Sequence, residues 1–168
     1  MTPDIDLRIA SMVRAMEDVV RPAIDPLNSL AAEQAALIVG HLRLLAIQWN
    51  KAESYARTCL ADLEATLEGL APSGGPATRA AAAELAEARV ADGPAEAHYK
   101  AVMRATDSLV RAAARDGEPA FREALHRGVL AFSTRQSLRD RSWFAASGFD
   151  LNPAELHSIA DLTMETAR

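Results

Sequence analysis

The sequence predicts an all-α protein, and three observations support this fold class. Alanine is the commonest residue and aromatic residues make up only 5% of the chain; alanine is the best helix former. Apolar residues recur at steps of three and four, the spacing of one helix face, and nothing alternates with the two-residue period of a strand. A chain of 168 residues can bury a core as one domain. We therefore predict a single domain, residues 1–168, built as an up-and-down bundle of about five helices.

The first helix is predicted from about Asp4 to Val20. Its apolar residues fall at alternating steps of four and three, which places them on one face. The helix should end at Arg21, because the residue before a proline is disfavoured in the α conformation. Asn28 and Ser29 then cap the next helix. The apolar face of the first helix comprises Ile5, Ile9, Met12, Met16 and Val19.

The second helix is predicted as one long element from Ser29 to Leu70. A heptad-type stripe runs along it. The first half carries a second apolar face, with Leu30, Leu37 and Leu44, so we expect it inside the bundle. The second half carries the stripe alone and should touch one partner only. The stripe consists of Ile38, Leu42, Leu45, Trp49, Ala52, Ala56, Cys59, Leu63 and Leu70.

A turn from Ala71 to Ala77 holds two prolines and two glycines and predicts the tip of a helical hairpin. The third helix is expected from about Thr78 to Arg115, with a kink or break at Pro94. In this arrangement the segment from Tyr55 to Ala91 projects as an arm with apolar residues to cover. We expect the arm to pair with a second copy in a two-fold homodimer; the alternative is that the last two helices fold over it.

The fourth helix starts near Pro119, reaches about Ala146 and should stop at Gly148. A fifth helix should follow the sequence Asn-Pro-Ala-Glu at Asn152, because asparagine caps, proline suits the first helical position and glutamate can close a capping box. The apolar residues of the fourth helix are Phe121, Leu125, Gly128, Val129, Leu130 and Phe132, and those of the fifth are Leu156, Ile159, Ala160, Leu162 and Met164.

Composition limits the partners and the compartment. The net charge of −5 argues against broad binding to nucleic acid or to an anionic membrane. Cys59 is the single cysteine, so no intrachain disulfide can form, which fits the cytoplasm. The acidic N-terminus does not resemble a signal peptide, and the apolar run near Leu37 is interrupted by His41, Arg43 and Gln48. Arginine-rich, lysine-poor composition suggests a GC-rich bacterial genome.

One pair of residues has the spacing of a metal site. Di-iron helical bundles use two Glu-x-x-His motifs and two further glutamates, and Glu123 with His126 forms one such motif. No second motif exists, so the ligand set is incomplete and we expect neither a metal nor another cofactor. The four histidines, His41, His98, His126 and His157, lie on four different predicted helices without metal-ligand spacing. A metal-dependent enzyme is therefore the third candidate function.

Two clusters could bind a small ligand. Arg135 and Arg139 share a helix face near Trp143, and arginine beside an aromatic ring can hold a phosphate or carboxylate or anchor a protein. The alternative is a solvated helix end whose cations pair with Asp140 or Asp150.

The second cluster is centred on Gly40. A glycine inside a helix costs about 1 kcal/mol relative to alanine, so we expect either the close approach of a crossing helix or a ligand beside His41 and Trp49. The sequence contains no motif for nucleophilic catalysis. Cys59 lies on the core stripe and should be a buried thiol.

The runs Met16-Glu17-Asp18-Val19-Val20-Arg21-Pro22-Ala23-Ile24 and Glu33 to Leu45 resemble an all-helical bacterial family without an assigned activity. The resemblance implies a small cytoplasmic helical protein that accompanies phosphotransferase-like or acyl-CoA-metabolising enzymes, and it implies no catalytic residues. The leading prediction is a non-catalytic, self-associating interaction or accessory protein, with an enzyme as a possible partner. A small-ligand or anion-binding bundle is the alternative.

Overall fold

The computed structural model describes residues 4–148 and 150–163, and these residues confirm the all-α prediction. Met164, predicted to lie in the last helix, falls outside them. Within the described residues no strand forms, and Gly74 and Gly117 make one isolated bridge. The α-helices are α1 (Ile5–Ala15), α2 (Ser29–Gln48), α3 (Ala52–Leu67), α4 (Pro76–Arg89), α5 (Ala95–Asp116), α6 (Pro119–Trp143) and α7 (Ile159–Thr163). A π-helical turn (Met16–Val20) and 3-10 turns (Arg21–Ala23, Ala145–Ser147 and Pro153–Glu155) complete the elements.

The first two predicted helices have different limits in the structure. The first does not stop at Arg21, since the chain continues as a 3-10 turn to Ala23. The single long second helix is wrong: a turn at residues 49–51 separates α2 from α3. There the N–H of Lys51 donates to the Gln48 carbonyl, 2.9 Å away, a bond one residue shorter than the α-helical one.

The predicted burial along this segment is reversed in the structure. On α3 the stripe Ala56, Cys59, Leu63 and Leu67 is buried, whereas α2 buries only Ala35, Val39 and Leu44. The reason is the break predicted at Pro94, which proves complete and makes α4 and α5 separate helices. α5 then packs directly on α3.

Hydrogen bonds give the directions of the helices that pack with α3. The Ala95 N–H donates to Glu53, so α3 and α5 run parallel from the same end. The Gly75 N–H donates to the Asp116 carbonyl, 2.8 Å away, so α4 runs antiparallel to α5. Helix α6 runs antiparallel to α3, because Tyr55 binds Asp140 whereas Asp62, later in α3, binds Arg135, earlier in α6.

The core of the four helices α3–α6 is centred on α5, which contacts the other three. It contributes Val102, Leu109 and Ala113, each at most 1% exposed. The predicted apolar face of α6 is confirmed at Phe121, Leu125 and Phe132 but not at Leu130, which is 68% exposed. Most large apolar residues of the segment from Tyr55 to Ala91 are thus covered within the chain, although Val90 is 81% exposed. The covered ones include the core residues Leu63, Leu67, Ala81 and Leu85 and the adjoining Leu60 and Leu70.

Helices α1 and α2 form an antiparallel hairpin at one end of these four helices. The Trp49 indole N–H donates to Asp6, 2.7 Å away, and Arg43 pairs with Glu17, also at 2.7 Å. The hairpin is joined to the rest of the molecule by the turn at residues 49–51 and by Gln48, whose amide donates to the Trp143 carbonyl at 2.8 Å.

The chain after α6 differs from the predicted fifth helix. The Asn152 side chain makes no capping hydrogen bond, and only a 3-10 turn follows. The helix begins later, where Ser158 and Asp161 exchange backbone–side-chain hydrogen bonds as a capping box does. Helix α6 ends at Trp143, before the predicted Ala146. The 3-10 turn Ala145–Ser147 then ends at Gly148, which takes a left-handed conformation with φ of 77°.

Candidate functional site

The hairpin α1–α2 has one face made of exposed apolar side chains, which we call the open face. All of its members are large, and each is 42–66% exposed. They recur every seven residues along each helix, which places them in line. The open face consists of Ile5, Met12 and Val19 from α1 and its π-helical extension, and of Ile38 and Leu45 from α2.

The opposite face of the hairpin is a groove of about 630 Å³ that carries charge. Acidic, basic and apolar groups share its lining, which consists of Asp6, Arg14, Glu17, Asp18 and Arg43 together with Ile9, Ala10, Val13, Ala46 and Ile47. Five charged residues of the hairpin therefore lie on the groove side. The other side is mainly apolar, although the exposed Arg8 lies one helical turn from Ile5 and Met12, and the exposed His41 lies one turn from Ile38 and Leu45.

Helix α2 is the one helix in the described parts of the chain whose length and composition would suit a membrane span. Its mean hydropathy is 1.4 over the 18-residue window, and 17% of that window is buried. A core helix of a soluble protein meets the same criterion of length and composition. Here, however, the low burial leaves an apolar helix largely uncovered.

The arginine cluster predicted on α6 forms, and both of its arginines bind one carboxylate. Asp62 on α3 accepts from Arg135 at 2.7 Å and from Arg139 at 2.9 Å. Arg135 also donates to Thr66, 3.0 Å away. The side chain of Arg139 is 13% exposed, whereas that of Arg135 is 48% exposed. The arginines therefore tie α6 to α3.

Opposing effects act on the Asp62 carboxyl. Burial favours its neutral form, but the hydrogen bonds from Arg135 and Arg139 outweigh burial and lower its pKa below the ordinary value. Asp62 is therefore a carboxylate at neutral pH, and the two guanidinium groups are neutralised by it in part.

Trp143 does not join these arginines. Its ring stacks on Tyr55, with ring centroids 4.2 Å apart. The Tyr55 hydroxyl donates to Asp140 at 2.6 Å, and Gln136 donates to the same carboxylate at 2.8 Å. The Gln136 carbonyl in turn accepts from Arg139. A continuous hydrogen-bonded network thus links α3 to the C-terminal half of α6.

The predicted buried thiol is confirmed. Cys59 is fully buried, and burial raises the pKa of its thiol. Burial also raises the pKa of Tyr55, with the hydrogen bond to Asp140 acting in the same direction, and it raises the pKa of Tyr99 to about 12. Groups held in their neutral forms at pH 7 suit a structural network better than acid–base or nucleophilic chemistry.

The structure does not bring Gly40, His41 and Trp49 together as one site. Beyond the helix's own backbone and the two chain neighbours, no atom of the described residues lies within 4 Å of the position that a Cβ on Gly40 would take. No crossing helix among the described residues therefore explains the glycine. His41 is exposed, and the Trp49 indole is bound to Asp6.

Glu123 and His126, the weak metal candidates on α6, both lie on the exposed surface. Glu123 pairs with Arg127 one turn further along the helix, and both side chains are 74% exposed. His126 is exposed, and His157 lies in the segment before α7. Among the residues that the structure describes, no group of three or more His, Cys, Asp and Glu side chains could hold a metal ion.

Sequence reasoning missed the partners of the cluster rather than its centre. Asp62 and Tyr55 lie more than seventy residues from the α6 side chains that they bind. Their positions beside the buried stripe of α3 were the available signal. No family model, curated protein or solved structure matches this chain.

Proposed function

We propose that this protein is a non-catalytic interaction protein of the bacterial cytoplasm and that the open face of the hairpin α1–α2 is its binding surface. The observation that carries the proposal is the exposure of Met12, Val19, Ile38 and Leu45 in line on two adjacent helices. Contiguous exposed apolar surface marks interaction sites. Helices α3–α6 serve as the scaffold that holds the hairpin.

This proposal moves the predicted contact surface. The segment from Tyr55 to Ala91 was expected to pair with another subunit because of its apolar stripe. Since α5 and α6 cover that stripe, the hairpin α1–α2 is the better candidate.

The small-ligand alternative is less well supported by the geometry. Asp62 engages both Arg135 and Arg139, so an anion at this position would compete with an existing ion pair. The space beside Arg135 is an open depression of about 250 Å³, smaller than the usual pocket for a small molecule.

The test compares Met12→Glu and Ile38→Glu with Leu130→Glu, a matched control at an exposed leucine on α6. Measured on protein dilute enough to be monomeric, all three variants should keep melting temperatures within about 2 °C of the wild type, because exposed substitutions change stability little. In protein diluted until it is monomeric, binding of an environment-sensitive hydrophobic dye should fall for the two hairpin variants alone. Loss of the fold in both hairpin variants would show that the chain itself needs this face, and would refute the proposal.

A further inference from the structure

The hairpin α1–α2 uses only one of the two apolar rows that its sequence carries. Steps of four and three give each helix two rows, as in the seam of a coiled coil. Ile9 and Ala35 belong to the inner row and are buried between the two helices, with Met16 and Leu42 half-buried beside them. The other row is the open face. A hairpin with one row satisfied is half of a four-helix bundle.

We propose that the occupant of the open face is a second copy of the same hairpin, so that two chains build one four-helix bundle around a two-fold axis. This inference rests on the proposed function and names its partner. A two-fold interface needs a surface that is complementary to itself, and the open face meets this condition because it carries the same type of side chain at matched intervals on both helices.

The register of the hairpin fixes which side chains meet. The Asp6–Trp49 and Glu17–Arg43 contacts place Met12 near the level of Leu45 and Val19 near the level of Ile38. A two-fold axis perpendicular to the helices, at the level of Leu42, then relates the two copies and gives two equivalent layers of side chains. Each layer holds Met12 and Leu45 of one copy with Val19 and Ile38 of the other.

The position of helices α3–α6 selects the orientation of the two copies. They follow α2 directly at residues 49–51, so each hairpin carries them at the same end. If the hairpins pack with their connecting turns at opposite ends, the two sets of α3–α6 lie at opposite ends of the dimer and do not collide. In this arrangement α2 packs antiparallel to α2 of the second copy.

The available area suits a stable dimer. Helix α2 has 20 residues and is therefore about 30 Å long, and two helices side by side present a face about 20 Å wide. Each copy would bury roughly 600 Å² and the pair roughly 1,200 Å², which lies within the range of specific interfaces.

The distribution of charge agrees with an apolar partner. The charges of the groove face, including Glu17 and Arg43, point away from the proposed interface, and the five residues of the open face carry none. Arg8 lies on the same helix face as Ile5 and Met12 and is exposed; its long side chain can keep the charge in water beside the apolar contact. Two open faces can then meet without burying an unpaired charge, which would be costly.

The experiment measures oligomeric mass by native mass spectrometry and light scattering from low micromolar to near-millimolar protein. We expect a wild-type dimer. Ile38→Glu should weaken it roughly a hundredfold, because two carboxylates enter the apolar layers; Leu130→Glu should leave it unchanged.

A cysteine pair tests the antiparallel geometry. Because Cys59 is buried, new cysteines can be read without interference. Mixed Ile38→Cys and Leu45→Cys chains should form a disulfide-linked dimer under oxidation, whereas neither variant alone should do so. Linkage within either variant alone but not in the mixture would overturn the proposed arrangement.

A wild-type monomer at every concentration, or a dimer that survives Ile38→Glu intact, would refute the second copy as occupant. Flotation of monomeric wild type with phospholipid vesicles, abolished by Ile38→Glu, would refute it in favour of a membrane surface. The proposed function can be judged separately from the second copy. If the wild type is a monomer and Ile38→Glu lowers its dye binding at an unchanged melting temperature, the proposed function stands and only the second copy is refuted. If the hairpin variants unfold, both proposals are refuted.

Discussion

Asp116, the last residue of α5, caps α4 by accepting two hydrogen bonds from Thr78. Its Oδ1 accepts from the Thr78 hydroxyl at 2.6 Å and from the Thr78 N–H at 2.9 Å. These bonds satisfy helix N-terminal groups that have no partner within the helix. The hydroxyl bond lowers the pKa of Asp116, and the backbone bonds from Ala77 and Thr78 act in the same direction.

Asp116→Asn should therefore lower the melting temperature at pH 7. A carboxyl whose pKa is lowered on folding stabilises the fold above its unfolded value of about 4 and loses this effect as the pH falls through the folded value. The difference between wild type and variant should shrink in that acidic range. Asp107→Asn on the exposed face of α5 is the control; a gap for Asp116→Asn that stays constant down to pH 2 would contradict the assignment.

Asp62→Ala should destabilise the protein by about 3 kcal/mol, because it leaves Arg139 largely buried without its carboxylate. Arg135→Ala should cost less than about 1 kcal/mol, since that guanidinium is about half exposed. Urea unfolding at pH 7 measures both. In a double-mutant cycle, Asp62→Leu with Arg139→Met should cost less than the sum of the single changes. Strict additivity would show that the pair is not coupled.

Gly40→Ala and Gly117→Ala should have opposite effects on stability. A Cβ at Gly40 meets open space, and alanine in a helix interior gains about 1 kcal/mol. A Cβ at Gly117 would lie 2.6 Å from the Ala113 carbonyl oxygen, an overlap that should cost about 2 kcal/mol. Thermal unfolding of dilute protein compares the two. A destabilising Gly40→Ala would indicate a neighbour at this position.

The two tyrosines should resist ionisation. Tyrosine outside a fold titrates near pH 10, whereas burial raises the pKa of Tyr99 to about 12 and that of Tyr55 as well. A pKa raised on folding stabilises the protein below the unfolded value and is lost as the pH rises towards the folded one.

The absorbance of tyrosinate should thus stay low through pH 10 and rise above pH 11 as stability falls. Tyr99→Phe should remove the contribution near pH 12. Tyrosinate formation at pH 10 in protein that retains its helical circular dichroism would contradict this placement.

The elements that follow local rules were predictable from the sequence. The turn before α4 and the stop at Gly148 depend on backbone restrictions of proline and glycine, although α4 begins at Pro76, two residues before the predicted Thr78. The break at residues 49–51 was not predictable in this way, because the apolar stripe continues through Trp49 without a glycine or proline.

The partners of each stripe could not be read from periodicity. A heptad spacing shows that a face is apolar without showing what covers it, so the stripe at Leu63 looked no different from the row at Ile38. The structure separates them, because α5 reaches the first and not the second. The same limit applies to Arg135 and Arg139: their shared face was visible, but Asp62 lies on another helix.

The attachment of the hairpin has a consequence for synthesis of the chain. The bond between Gln48 and the Trp143 carbonyl joins residues 95 positions apart, and synthesis proceeds from the N-terminus. Helices α1 and α2 leave the ribosome long before the end of α6 exists. During that interval the hairpin is held only by its own inner row and by the contacts of Trp49 and Arg43 with α1 and its extension. Its stability at this stage therefore depends on contacts between α1 and α2 alone.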